Sequence, residues 1–428
     1  MTITRRRSLL LGASASIAPF GGAGAAVPRS TRLSFRPQNG PFVDANSPNL
    51  TYGGLYELES QPLWVRLFYT NEMPTPWRVH GAAIAVTSAF HDGYTPVDAR
   101  GSPAPDLWQR VTFDASGRDS APAAGGGNVF AFDIGARKTG PVPQLLFSDW
   151  VRVDRPPASN RDGRCLLLVR TYAAGLMRTA IGRHFGSGTI DPGIGRLQAG
   201  FWSPGDGTQA PWSFEPTRMD QFYPTYGLQY MTAIPGVTII GIGDSILSSM
   251  HSAGGVSGPG YRASVLVSTP AQPVSYVNQA FIGRKSADFL ARGMADIEAL
   301  RPQIAVIQAW TQADPWTDAG SDATCDAALA LTEFAAARNC LSVLVGPAPV
   351  FAAHPEAEPA RQHSLVRLRQ LAEAGKPVLD VDAIWGSGAV PNAYQARYDL
   401  DHTHPNDAGC GAAARVLALA LRGLIGQA

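Results

Sequence analysis

The chain has 428 residues, 45% of them hydrophobic and 16% charged, enough for two domains with separate cores. Its formal net charge is +1 with no basic block outside the extreme N-terminus, which argues against a nucleic-acid partner.

Residues 1–26 read as a targeting segment. "TRRRSLLLGASASIAPFGGAGAA" joins an arginine cluster to a short apolar stretch and to small residues around Ala23-Gly24-Ala25. The pair Arg6-Arg7 followed by Ser8-Leu9-Leu10 resembles a twin-arginine signal, which implies export of a folded protein, periplasmic or secreted. No later segment reaches about 18 consecutive apolar residues, so the mature chain is expected to be soluble, without a stable membrane anchor.

From 27 to 202 the chain offers short runs such as "LWVRLFYT", "GAAIAVTSAF" and "RCLLLVRTYA", separated by Gly, Pro, Asp and Ser clusters and followed by no helical pattern. They predict an all-β sandwich of jelly-roll type. Residues 203–235, rich in Pro, Gly and aromatics, read as a connector and domain boundary.

From 236 to 428 the rhythm is strand, helix, strand, helix. Strands are predicted at "VTIIGIG", "VSYVNQA", "PQIAVIQAW", "LSVLVGPAP" and "PVLDVDAI", and helices at "SADFLARGMADIEAL", "CDAALALTEFAAARN", "PARQHSLVRLRQLAEAG" and "NDAGCGAAARVLALALRGLI". This alternation predicts a parallel sheet covered by helices on both faces, a three-layer α/β/α domain. "GIGDSI" lacks the third glycine of a dinucleotide fingerprint and no Walker lysine follows, so no cofactor is expected. The eight histidines are scattered without metal-ligand spacing, and no metal is expected. Cys165, Cys325, Cys340 and Cys410 have neither metal nor redox spacing, and export leaves room for one disulfide with no pair indicated.

"VTIIGIGDSILSSM" ends a buried strand in Gly-Asp-Ser, with Gly243 expected to permit a sharp turn, and so places Ser245 at a strand's carboxyl end, where open α/β sheets bind ligands. Asp244 and Ser245 also suit a simple helix cap. A serine hydroxyl needs an imidazole to take its proton and a carboxylate to orient that imidazole. "DLDHTHPNDAG" supplies both from one loop, with Asp401 three residues before His404; His402 is the local competitor.

"GDSI" at 243–246, Gly283 in "NQAFIGRKS" and "DHTHPN" at 401–406 resemble blocks I, II and V of the GDSL-type, or SGNH, hydrolases. The resemblance covers about 236–428. It implies a flavodoxin-like fold with Ser245 as nucleophile, His404 as general base and Asp401 as its orienting carboxylate. The backbone N–H groups of Ser245 and Gly283 would then line an oxyanion hole. Block III departs from the family's Gly-x-Asn-Asp, reading "AWTQADPW". Counting from Pro302 puts Gln312 at the third oxyanion position, whereas aligning Asp314 puts Ala313 there.

A β-domain fused to such a hydrolase resembles some carbohydrate acetylesterases. Six of the nine tryptophans (Trp64, Trp77, Trp108, Trp150, Trp202 and Trp212) precede residue 236, where they serve either as core or as sugar-stacking faces. Three functions follow: an esterase that deacetylates a carbohydrate, an esterase for lipid or small acyl esters, or a glycan-binding protein with a decayed hydrolase site. The expected partner is an acylated carbohydrate or another ester, and the sequence leaves the oligomeric state open.

Overall fold

The computed structural model describes residues 29–31, 43–45, 50–69, 77–87, 95–98, 100–122, 127–134, 145–153, 165–173, 177–179, 197–208, 217–219, 227–247, 258–280, 283, 285–389 and 391–426. The targeting segment, Trp212 and residues 248–257 lie outside them.

The N-terminal half is built of antiparallel strands. Leu50–Leu58, Cys165–Ala173 and Gly81–Thr87 form the centre of a six-stranded sheet, in which Cys165–Ala173 pairs with both neighbours. A five-stranded sheet is organised around Trp64–Tyr69, which pairs with Gly227–Met231, Val151–Arg152 and Leu146–Phe147. Val65, Leu67, Leu228 and Tyr230 of this sheet share one buried cluster with Tyr56, Ile84, Leu167 and Val169 of the other. Residues 203–235 are therefore more than a connector, because Thr217–Met219 and Gly227–Met231 are strands of these two sheets. The five residues "GLQYM" are too short to show a period among Pro, Gly and aromatic neighbours.

The C-terminal half is an α/β/α layer structure on a parallel sheet. Its strands are β1 (Val237–Ile242), β2 (Val274–Asn278), β3 (Ile304–Gln308), β4 (Leu341–Val345) and β5 (Val378–Leu379), in the order β2-β1-β3-β4-β5. All four pairings are parallel. The helices are α1 (Pro259–Val267), α2 (Ser286–Leu300), α3 (Asp318–Ala336), α4 (Glu358–Glu373), α5 (Val381–Trp385) and α6 (Asp407–Ile425).

Alternation along each strand decides which helices it meets. Val237, Ile239, Ile304, Val306, Val343 and Val345 pack with Tyr261 of α1, Trp385 of α5 and Leu417 and Leu421 of α6. Ile240, Ile242, Ala305, Ile307 and Leu344 face the other way, onto Leu290 and Ile297 of α2, Ala328 and Leu331 of α3 and Leu368 of α4. Each Val, Ile or Leu among them contributes about 1.5–3 kcal/mol on full burial, which holds both helical layers to the sheet. Phe68, Leu145 and Phe147 of the antiparallel half join the second cluster, so the two halves pack together through apolar side chains.

Three local expectations change. Helix α1 occupies a stretch with no periodic signal; it starts on Pro259, whose fixed φ suits a first turn. "PVLDVDAI" is a two-residue strand followed by α5, because the Asp380 carboxylate accepts the Ala383 N–H at 3.0 Å and caps a helix there. Helix α3 begins at Asp318, ahead of Cys325, on an N-cap from the Thr317 hydroxyl. All four cysteines are free and buried, and burial pushes their thiols up to about 12 for Cys165, Cys340 and Cys410 and about 11 for Cys325. No disulfide staples this fold.

Candidate active site

The site forms where the strand order reverses, beyond the carboxyl ends of β1, β3 and β4, the position that leaves a crevice in an open α/β sheet. Gly243 is required there by crowding rather than by a left-handed backbone. A Cβ on it would stand 2.6 Å from the Gln308 Oε1. That oxygen accepts the Asp244 N–H at 3.1 Å, while the Gln308 amide donates to the Trp310 carbonyl at 2.9 Å. One buried glutamine thus ties the serine loop to the end of β3.

Asp244 acts inside the turn. Its carboxylate accepts the Ile246 N–H at 2.8 Å and the Thr311 hydroxyl at 2.5 Å. Burial raises its pKa, opposed by those two hydrogen bonds, by Gln308 and by the nearby His404. Ser245 follows at 7% exposure, its backbone position fixed by the bonds on either side.

His404, also 7% exposed, places Nε2 2.9 Å from the Ser245 Oγ. The other ring nitrogen, Nδ1, lies 2.8 Å and 3.1 Å from the two Asp401 oxygens. Asp401 also accepts the backbone N–H groups of His404 at 2.7 Å and Thr403 at 3.1 Å. Burial works against the charge on Asp401, but the bonds from His404 and the backbone outweigh it and hold the carboxyl below its usual range. The carboxylate therefore stays ionised and suits a tautomer with the proton on Nδ1 and Nε2 as acceptor for the serine hydroxyl.

The loop that presents His404 is itself pinned. The Tyr394 hydroxyl donates to the Thr403 carbonyl at 3.0 Å, and Asn406 caps α6 through Gly409 at 3.0 Å while its amide donates to the carbonyls of Arg397 and Asp399. His402 lies elsewhere: it is 65% exposed, and its ring and backbone are engaged by Asp399 at 2.6 Å and 2.7 Å. Of the two tandem Asp-x-x-His pairs, Asp401 and His404 are the pair that reaches Ser245.

The chain is similar to solved GDSL-type hydrolases. They include a GDSL-like lipase from Bacteroides thetaiotaomicron, 20% identical over 44% of this chain and 88% of that one, with a TM-score of 0.32. An α/β hydrolase enzyme from the metagenome of Lake Arreo gives 20% identity, 45% and 97% coverage and a TM-score of 0.36. A catalytic mutant of an acetylxylan esterase from Geobacillus stearothermophilus gives 21%, 45% and 96%, and 0.35. No protein-family model and no curated protein matches the chain.

An open cleft at the serine is lined by Asp244, Ser245, Ile246, Gln308, Trp310, Thr311, Gln312, Ala348, Val350 and Thr403. Gln312 lines it and Ala313 does not, which favours the spacing counted from Pro302. The Gln312 Oε1 is buried without a hydrogen-bond partner in the described structure. Asp314, on which the competing alignment rests, has a different task. It accepts from the backbone N–H and hydroxyl of Ser286 and from the Thr311 N–H, tying this loop to the start of α2, and burial raises its pKa. Gly283 lies between β2 and α2 at φ +66°, a backbone that favours glycine, and it is not among the cleft-lining residues.

Sequence reasoning missed Thr311, Gln308, Ala348 and Val350. Their signal was available: each follows or ends a parallel strand on the crevice side. The tryptophans of the N-terminal half divide. Trp150 is core, with the Arg66 guanidinium over its ring at 4.5 Å, and Trp108 is covered by Arg170 at 4.0 Å, so neither offers a free face to a sugar. Trp64 is half-buried on its strand, and nothing is described of the Trp77 and Trp202 side chains.

Proposed function

We propose that this protein is a serine ester hydrolase that removes a small acyl group, acetyl above all, from a carbohydrate by way of an acyl-serine intermediate. The observation that carries the reading is the continuous hydrogen-bonded series Asp401, His404, Ser245, with the serine at the floor of a cleft. His404 takes the Ser245 proton through Nε2 as Oγ attacks the ester carbonyl, and the Asp401 carboxylate stabilises the imidazolium. The tetrahedral oxyanion would be met by backbone N–H groups at Ser245 and Gly283 and by the Gln312 amide. Collapse expels the alcohol, which takes the proton from His404. Water then attacks the acyl-serine by the same base and releases the carboxylic acid.

The apolar lining among the described residues is limited to Ile246, Trp310, Ala348 and Val350, which supports a short acyl chain over a lipid one. The preserved triad geometry supports a working site over a decayed one. Under the same reading the β-sandwich domain of 27–202 extends through the strand Gly227–Met231, 236–428 form the hydrolase domain, and residues 1–26 are an export signal that delivers the chain to the periplasm or beyond.

A serine-directed fluorophosphonate should label Ser245, and Ser245→Ala should abolish labelling. The purified chain should release acetate from acetylated sugars faster than it cleaves an aryl octanoate. Labelling elsewhere with activity retained in the variant would overturn the assignment. Preference for the octanoate would replace the substrate class with the second reading, a lipid or small acyl-ester esterase.

A further inference from the structure

We infer that Trp316 and His354 form an aromatic subsite at the rim of the cleft that receives the ring of a neutral sugar; this deepens the carbohydrate reading and rests on it. Trp316 lies between β3 and α3 and is 40% exposed, the one aromatic among the large apolar side chains left open to solvent in the described structure. An indole in that position is usually withdrawn into a core or covered, as Trp150 and Trp108 are here by arginine. Trp316 is instead held out in a fixed place. Its indole N–H donates to the Gln312 carbonyl at 2.9 Å.

His354 closes the subsite from the next loop. Its backbone N–H donates to the Val350 carbonyl at 2.7 Å, and its ring lies 5.7 Å from the indole with the planes inclined at 38°. Gln312 and Val350 both line the cleft over Ser245. The Trp316 ring and the His354 backbone are therefore each one hydrogen bond from a residue that lines the cleft. The placement suits the alcohol portion of the substrate, outside the acyl pocket.

The chemistry around the rings selects the ligand. A pyranose has a C–H face that packs on an aromatic plane and a rim of hydroxyls that need acceptors. Acceptors are at hand: Asp318, next but one to Trp316, is 72% exposed, and Glu356, next but one to His354, is 54% exposed. Asp318 lies 3.7 Å from the His363 Nδ1 and Glu356 lies 3.9 Å from the His354 Nδ1, while the nearby Arg367 is engaged by Asp322 and Asp326. Two exposed carboxylates beside the platform favour neutral sugar hydroxyls and repel a uronate polymer.

The test compares Trp316→Phe with Trp316→Leu on three substrates: partly acetylated xylo-oligosaccharides, acetylated polygalacturonate and an aryl acetate. Phenylalanine keeps an aromatic face but loses the N–H to Gln312; leucine loses both. The subsite predicts that the ratio of kcat/KM for the neutral glycan over the aryl acetate falls at least tenfold in Trp316→Leu. In Trp316→Phe the ratio should stay within about threefold of the parent, and the parent should prefer the neutral to the anionic glycan. If both variants lose activity on all substrates alike, Trp316 merely anchors Gln312 and the inference is overturned. It is equally overturned if the ratio is unchanged in both, or if the parent prefers the anionic polymer. A parent active on the aryl acetate and on neither glycan would instead refute the carbohydrate reading itself.

Discussion

Gln312→Ala separates a group that serves catalysis from one that serves the fold. In the free protein the Gln312 Oε1 is buried without a partner beside the nucleophile, and such an orphan costs about 1–3 kcal/mol. That oxygen can only accept, so it would not pair with an oxyanion; the donor in that role would be the Nε2 N–H of the same side chain. If the amide donates to the oxyanion, its removal should cost about 2.7–4 kcal/mol of transition-state stabilisation, or about a hundredfold to a thousandfold in kcat. KM should hardly move, because the bond strengthens mainly as negative charge develops. Stability should not fall, and relief of the orphan should raise it by about 1 kcal/mol. Steady-state kinetics on an aryl acetate and urea unfolding of the same preparations measure both quantities. A kcat within about twofold of the parent, or a fall in kcat matched by a stability loss above about 1 kcal/mol, would refute the reasoning and leave Gln312 a structural residue.

The two histidines of the last loop should behave in opposite ways: His404→Ala should cost nearly as much activity as Ser245→Ala, because members of a triad act as a unit, while His402→Ala stays within about threefold of the parent. Thr311→Val should destabilise in a pH-dependent manner. Burial already raises the Asp244 pKa against the Thr311 hydrogen bond, and valine removes that opposition and raises it further. A carboxyl raised in the folded state favours folding when protonated and loses that contribution as pH rises through the folded value. The penalty should therefore be about 1.5–3 kcal/mol above that pKa and nearer 1 kcal/mol below it, read from urea melts across the pH range in which the fold persists; a penalty that grows as pH falls would reverse the assignment.

Much of the C-terminal half was legible in the chain, because parallel strands buried on both faces and helices with one apolar stripe write strong periods. Helix α2 was predicted over the residues it occupies, and α6 within one residue. Helix α1 was not, since its start depends on Pro259 and its burial on α6 rather than on its own pattern. The strand Gly227–Met231 was hidden for a like reason: its partner, Trp64–Tyr69, lies far away in the sequence.

For the site, local order in the sequence determined the chemistry on offer: a serine after a glycine-terminated strand, and an Asp-x-x-His loop before the last helix. It pointed to His404, by its carboxylate and its resemblance to block V, with His402, which has Asp399 at the same spacing, as the local competitor. Tertiary structure sets the competitor aside by directing His404 to Ser245 and leaving His402 with Asp399 in solvent. Likewise "AWTQADPW" has two alignments as a string. Only the fold separates them, because Asp314 is drawn inward to Ser286 while strand β3 delivers Gln312 to the cleft. Sequence fixes which groups exist and their local spacing, whereas the distance between residues 245 and 404 depends on how the layers pack.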